Sequence, residues 1–135
     1  MRETKIHSQL VAFTKQWIEK EYVSKRVEII GVDSVTENFQ VLPNINGFIP
    51  DIFAKCLVNN LQIIGEAESS KGLNSQHTEQ QLKAFIRYCF LNNAHLIVGV
   101  PWDLVPYARK LIKFYISECK AEGVIVIIPD NMAVG

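Results

Sequence analysis

Gly47-Phe48-Ile49-Pro50-Asp51-Ile52-Phe53-Ala54, followed beyond Asn59-Asn60 by Ile63-Ile64-Gly65-Glu66-Ala67-Glu68-Ser69-Ser70-Lys71, sets acids inside two apolar segments of strand length. Successive side chains of an extended chain point to opposite faces. Ile64, Glu66 and Glu68 therefore share one face of the second segment, and Ile63, Gly65 and Ala67 the other. The same period groups Asp51 with Ile49, Phe53 and Lys55, an acid among strand-forming residues that normally exclude charge. Asparagine tolerates positive φ better than most residues, so Asn59-Asn60 predicts a tight turn, and pairing across it brings Asp51 toward Glu66. Crowded carboxylates raise one another's proton affinity unless positive charge stands between them. A hard divalent cation meets that need, because Mg2+ takes carboxylate, carbonyl and water oxygens and leaves positions for phosphate. The expected ligands of Mg2+ or Mn2+ are Asp51, Glu66, Glu68 and the Ala67 carbonyl.

The flanking sequence supplies the remaining elements. Ile6, Leu10, Phe13, Trp17 and Ile18 recur at helical spacing and predict a helix over 3–22. A strand is expected over 27–32, an irregular link over 33–38, and the two hairpin strands over 48–58 and 61–68, with a polar loop over 69–76. Leu82, Phe85, Ile86, Cys89 and Phe90 mark a helix over 78–91 that begins near Thr78 and ends at Asn92-Asn93. The apolar run over 95–100 reads as a strand buried on both faces and stopped by Pro101. Asp103 is placed to cap a last helix with the stripe Leu104, Ala108, Leu111, Tyr115 and Cys119, closed by Gly123, and a buried strand follows over 124–128. The order αβββαβαβ predicts an α/β fold with a mixed central sheet flanked by helices.

The 135 residues, 48% of them apolar, fit one domain over 1–135. Fourteen basic and fourteen acidic residues cancel, so a polyanion must be met by a local patch rather than by the field of the whole molecule. Cys56, Cys89 and Cys119 are odd in number and lie in apolar runs, which suits reduced core thiols of a cytoplasmic protein. No apolar run is long enough to span a bilayer, and no membrane partner is expected. Gly-rich phosphate loops, a Gly-x-Ser-x-Gly elbow and zinc-type cysteine spacing are all missing from the sequence, which argues against those chemistries.

Pro50-Asp51, the hairpin-length gap, Glu66-Ala67-Glu68 and the helical Gln81-x-x-x-Phe85 together resemble the PD-(D/E)XK phosphodiesterase superfamily of nucleases, over nearly the whole chain. The resemblance implies a restriction-endonuclease-like core and metal-dependent hydrolysis of phosphodiester bonds in DNA. Asp51, Glu66, Glu68, Lys71 and Gln81 would be its catalytic set. The family usually carries lysine where this chain has Glu68, although some similar restriction endonucleases carry glutamate. Lys71, three residues on, and Lys55, on the face of Asp51, are the candidates for a displaced cation. Glu3 and His7 lie on the first helix, from which the family often adds an acid to the site. Gln81 flanks the apolar stripe and Gln80 points away from it, and either also suits an ordinary exposed glutamine. His77 and His95 read as structural, and Trp102 and Tyr107 as packing or base-stacking residues. A homodimer or a place in a larger assembly is expected. Two alternatives stay open: a catalytically inactive nuclease fold acting as a DNA-binding or protein-assembly module, and an adaptor with no nucleic-acid role. Mutual repulsion of the acids predicts that Asp51→Ala leaves the metal-free fold as stable as before or slightly more so.

Overall fold

A computed structural model describes residues 5–32, 42–70 and 72–130. Its elements are α1 (Lys5–Glu21), β1 (Val27–Val32), β2 (Ile52–Cys56), β3 (Gln62–Ala67), α2 (Gln76–Asn92), β4 (His95–Gly99), α3 (Val105–Glu118) and β5 (Ile125–Ile127), in the expected order. The strands form one sheet in the order β1-β2-β3-β4-β5. β1-β2 and β2-β3 are antiparallel pairs, while β3-β4 and β4-β5 are parallel pairs. Parallel neighbours need crossovers, and α2 and α3 provide them.

Strand alternation sorts the core into two layers. Ile52, Ala54, Ile63, Ala67 and Ile97 face Leu10, Val11 and Ile18 of α1. Phe53, Ile64, Leu96 and Val98 face Leu82, Phe85 and Ile86 of α2 and Ala108, Ile112 and Tyr115 of α3. Each fully buried side chain of this size contributes about 1.5–3 kcal/mol of transfer free energy. Two glycines let α1 lie close against the central strands. A Cβ at Gly65 would stand 2.9 Å from Ile52 Cβ and 3.3 Å from Ile18 Cδ1, and one at Gly99 would stand 2.1 Å from Thr14 Oγ1.

Element ends depart from expectation for local reasons. β2 is shorter than 48–58 because Ile45 and Phe48 bridge across Asn46-Gly47, both at positive φ, and Pro50 has no N–H for a ladder. At its other end Leu57 and Val58 turn out to solvent. Asp51 thus precedes β2, and Glu68 follows the end of β3 at Ala67. α2 starts at Gln76 rather than near Thr78, because Ser75 Oγ accepts the Thr78 N–H at 3.0 Å and caps the helix. Phe90 lies 41% exposed, outside the buried stripe. Asp103 does not cap α3. A 3-10 turn over Trp102–Leu104 intervenes, and Pro106 occupies the first turn of the helix. The buried stripe is therefore Val105, Ala108, Ile112 and Tyr115 rather than the set through Leu104 and Leu111. Lys120, at φ 52°, takes the left-handed turn after α3, and Gly123 belongs to the next turn. β5 has only three residues on the sheet edge, with Ile125 exposed, so it is not the buried strand expected over 124–128. The link expected over 33–38 lies outside the described residues. Among the described residues no helix is long and apolar enough to cross a membrane.

Candidate functional site

Ile52 pairs with Gly65 across the β2-β3 ladder, so the preceding Asp51 lies opposite Glu66. The two are interlocked. The Asp51 N–H donates to Glu66 Oε1 at 3.2 Å, and the Ala67 N–H donates to Asp51 Oδ2 at 2.9 Å. Glu66 Oε2 accepts from Gln81 Nε2 of α2 at 2.9 Å. Glu68 is anchored through its own N–H to the Gly99 carbonyl at 2.9 Å, and Thr78 Oγ1 reaches its Oε1 at 3.5 Å. Gly72 stands against the same carboxyl group, since a Cβ there would come within 2.8 Å of Glu68 Oε1. From the other layer, His7 Nε2 of α1 comes to 3.3 Å from Asp51 Oδ2. Three acids that are 7%, 4% and 8% exposed (Asp51, Glu66 and Glu68) therefore meet at one end of the sheet.

Burial disfavours the charged form of these groups. Glu66 is pushed well above the usual carboxylate range, first by burial, then by the charges of Asp51 and Glu68, with the Asp51 N–H acting in the opposite sense. Glu68 is also raised by burial, although its hydrogen bond from Glu66 and the charge of His7 pull it back down. Burial and the neighbouring acids thus favour the neutral form of Glu66 most strongly, and the two glutamates influence each other's titration.

The structure brings together Asp51, Glu66, Glu68 and Gln81, as the sequence predicts, with Ala67 contributing its N–H to Asp51. Gln80 is exposed, as helical geometry predicts. Lys55 is not the site's cation. Its side chain is exposed, its partners across the ladders are Glu28 and Gln62, and four residues of strand put it about 13 Å from Asp51. Lys71 and Glu3 lie outside the described residues. His7 is the residue that sequence reasoning undervalued. Its signal was present, because Leu10, Val11 and Thr14, at spacings of three, four and seven, are the buried face of α1. His95 is structural: its Nδ1 is hydrogen-bonded with the Tyr22 hydroxyl at 2.6 Å, and burial and Lys25 lower its pKa. His77 packs edge-on against Phe48. Trp102 and Tyr107 are half-exposed, and the Tyr107 hydroxyl bonds Asn74 Oδ1 in the loop before α2.

As the side chains stand, no group of three or more His, Cys, Asp or Glu among the described residues is arranged to hold a metal ion. The oxygens of Glu66 are turned to the Asp51 N–H and to Gln81. The chemistry of the donor set still suits a hard cation, since three buried carboxyl groups offer oxygen. No family model, curated protein or solved structure matches this chain.

Proposed function

We propose that this chain is a divalent-metal-dependent phosphodiesterase acting on DNA, built on a restriction-endonuclease-like core of the PD-(D/E)XK kind. The observation that carries the reading is the burial of Asp51, Glu66 and Glu68 side by side, which costs folding free energy and is relieved when a cation joins them. Asp51, Glu66, Glu68 and the Ala67 carbonyl would hold Mg2+ or Mn2+, which when bound polarises a scissile phosphate and acidifies a water. The chain's own groups orient this set: Gln81 fixes Glu66, and the Ala67 N–H fixes Asp51. Glu68, in the usual lysine position, would serve as a further ligand or as the base that orients the attacking water. Lys71, next to this loop in sequence, is the proposed source of positive charge toward the phosphate. With zero net charge, one subunit offers DNA a modest surface, so a homodimer or larger assembly is part of the proposal. The test is plasmid cleavage with Mn2+ or Mg2+ titrated against EDTA, comparing wild type with Glu66→Ala. Metal-dependent nicking that the variant lacks supports the reading, and wild-type protein inert at millimolar metal overturns it.

A second reading, a catalytically inactive nuclease fold serving as a DNA-binding or protein-assembly subunit, is favoured by Glu68 standing where the family places a lysine. It requires DNA or partner binding that EDTA does not change, with no cleavage.

A further inference from the structure

We infer that His7 is a positioning residue for the Asp51 carboxylate, an inference that rests on the metal-site reading above and assigns α1 a part in it. Asp51 Oδ2 faces two nitrogens from different layers of the fold: the Ala67 N–H of β3 at 2.9 Å and His7 Nε2 of α1 at 3.3 Å. A carboxylate only accepts, and a ring nitrogen beside it pairs with it when it carries a proton. A single donor leaves a carboxylate free to swing about that contact, whereas two donors arriving from different directions on one oxygen fix its plane. Oδ1 is then the oxygen engaged by neither, presented to a ligand. Both side chains are largely enclosed, at 17% and 10% exposure, so water competes little for the contact.

The fold holds His7 in that place by packing. Thr14, two helical turns along α1 on the same face, sits directly on Gly99, and its hydroxyl is tied to the Leu10 carbonyl at 2.7 Å. Ile18 rests against Gly65 one turn further on. Two close contacts thus fix the height and rotation of α1 over β3 and β4, and its first turns deliver His7 to Asp51. Partners that orient a metal ligand in this way change metal affinity by roughly 10–100-fold when removed.

The experiment is calorimetric titration of Mn2+ into the full chain as wild type, His7→Ala and His7→Gln, with melting in EDTA as a folding control. Glutamine retains an N–H donor at the reach of Nε2 but is a poor metal ligand. The expected result is about 10-fold weaker Mn2+ binding by His7→Ala and near-complete recovery by His7→Gln, with both variants folded in EDTA. Equal affinity of His7→Ala and wild type overturns the inference while leaving the metal site standing. Equal loss in both variants also overturns it, by making His7 a ligand. Wild type that binds no Mn2+ overturns the metal reading itself, and the inference with it.

Discussion

The Asp51 backbone N–H donates to Glu66 Oε1 at 3.2 Å, while the Asp51 carboxylate crosses to the same strand and accepts the Ala67 N–H at 2.9 Å. The acid is thus both a source of repulsion and a partner that a buried N–H requires.

Repulsion alone predicts that Asp51→Ala is harmless to the metal-free fold, but this geometry reverses the sign. Alanine leaves the Ala67 N–H without its acceptor, at a cost of about 1–3 kcal/mol. Asp51→Asn keeps an acceptor oxygen and loses only the charge. In EDTA at neutral pH the alanine variant should melt several degrees below wild type and the asparagine variant close to it, with cleavage lost in both. An alanine variant as stable as wild type would show that the Asp51-Ala67 contact contributes nothing.

Glu66 gives a pH signature. Its pKa in the folded chain lies well above its ordinary value of 4.5, so between these values the native state binds more protons than the unfolded chain. Stability therefore falls as pH rises through that window, and below it the group makes no difference. Glu66→Gln never ionises. Its carbonyl can accept the Asp51 N–H and its amide can donate to Glu68, with the Gln81 amide turned over to accept. The variant should match wild type near pH 4 and become progressively more stable than wild type as pH rises toward neutrality. Melts from pH 4 to 8 in EDTA check this, and a constant offset across the range would contradict it.

Gly99 should tolerate no side chain while Thr14 is present. A Cβ there would stand 2.1 Å from Thr14 Oγ1 but 3.5 Å from Thr14 Cβ, which is ordinary contact. Gly99→Ala should cost at least about 1–3 kcal/mol by overpacking. Combining it with Thr14→Ala removes the colliding oxygen, so the double variant should be more stable than Gly99→Ala alone. Denaturant melts of the four chains of this cycle measure the coupling, and simple additivity would place α1 further from β4 than it stands.

The parts of this fold that periodicity controls were legible in the sequence. Alternation along β3 put Glu66 with Ile64 and opposite Ile63, and the layers agree. The hairpin then brought Asp51 to Glu66 because antiparallel register leaves little freedom once the turn is placed. Lys55 shows where the same reasoning fails. Alternation gives the face of a strand but not the position along it, and four residues are enough to remove the ammonium from the acids. His7 was hidden for a different reason, since helical spacing reveals the buried face of α1 but not the strand end over which its first turn lies. The true cap of α2, Ser75, is one of several polar residues in a row, and only backbone geometry selects it.

Glu68 is where the chain departs from the family it resembles. Glu68 is buried beside Glu66 and feels the charge of Asp51, so an ammonium at this position would meet two acids in place of a third acid among them. In EDTA at pH 7, Glu68→Lys should therefore melt above wild type, because it converts a repelling cluster into a compensated one. The same ammonium competes with a metal for Asp51 and Glu66 and removes a ligand, so Mn2+ affinity should drop about 10-fold, the equivalent of roughly 1.4 kcal/mol. Once Mn2+ is saturating, single-turnover cleavage should be no slower than wild type, since lysine stabilises charge developing on the phosphate. These measurements separate the roles of Glu68. Unchanged or tighter Mn2+ binding would mean that it is not a ligand, and a lower melting temperature in EDTA would mean that the Glu68 carboxyl group, which Thr78 Oγ1 contacts, stabilises the metal-free fold.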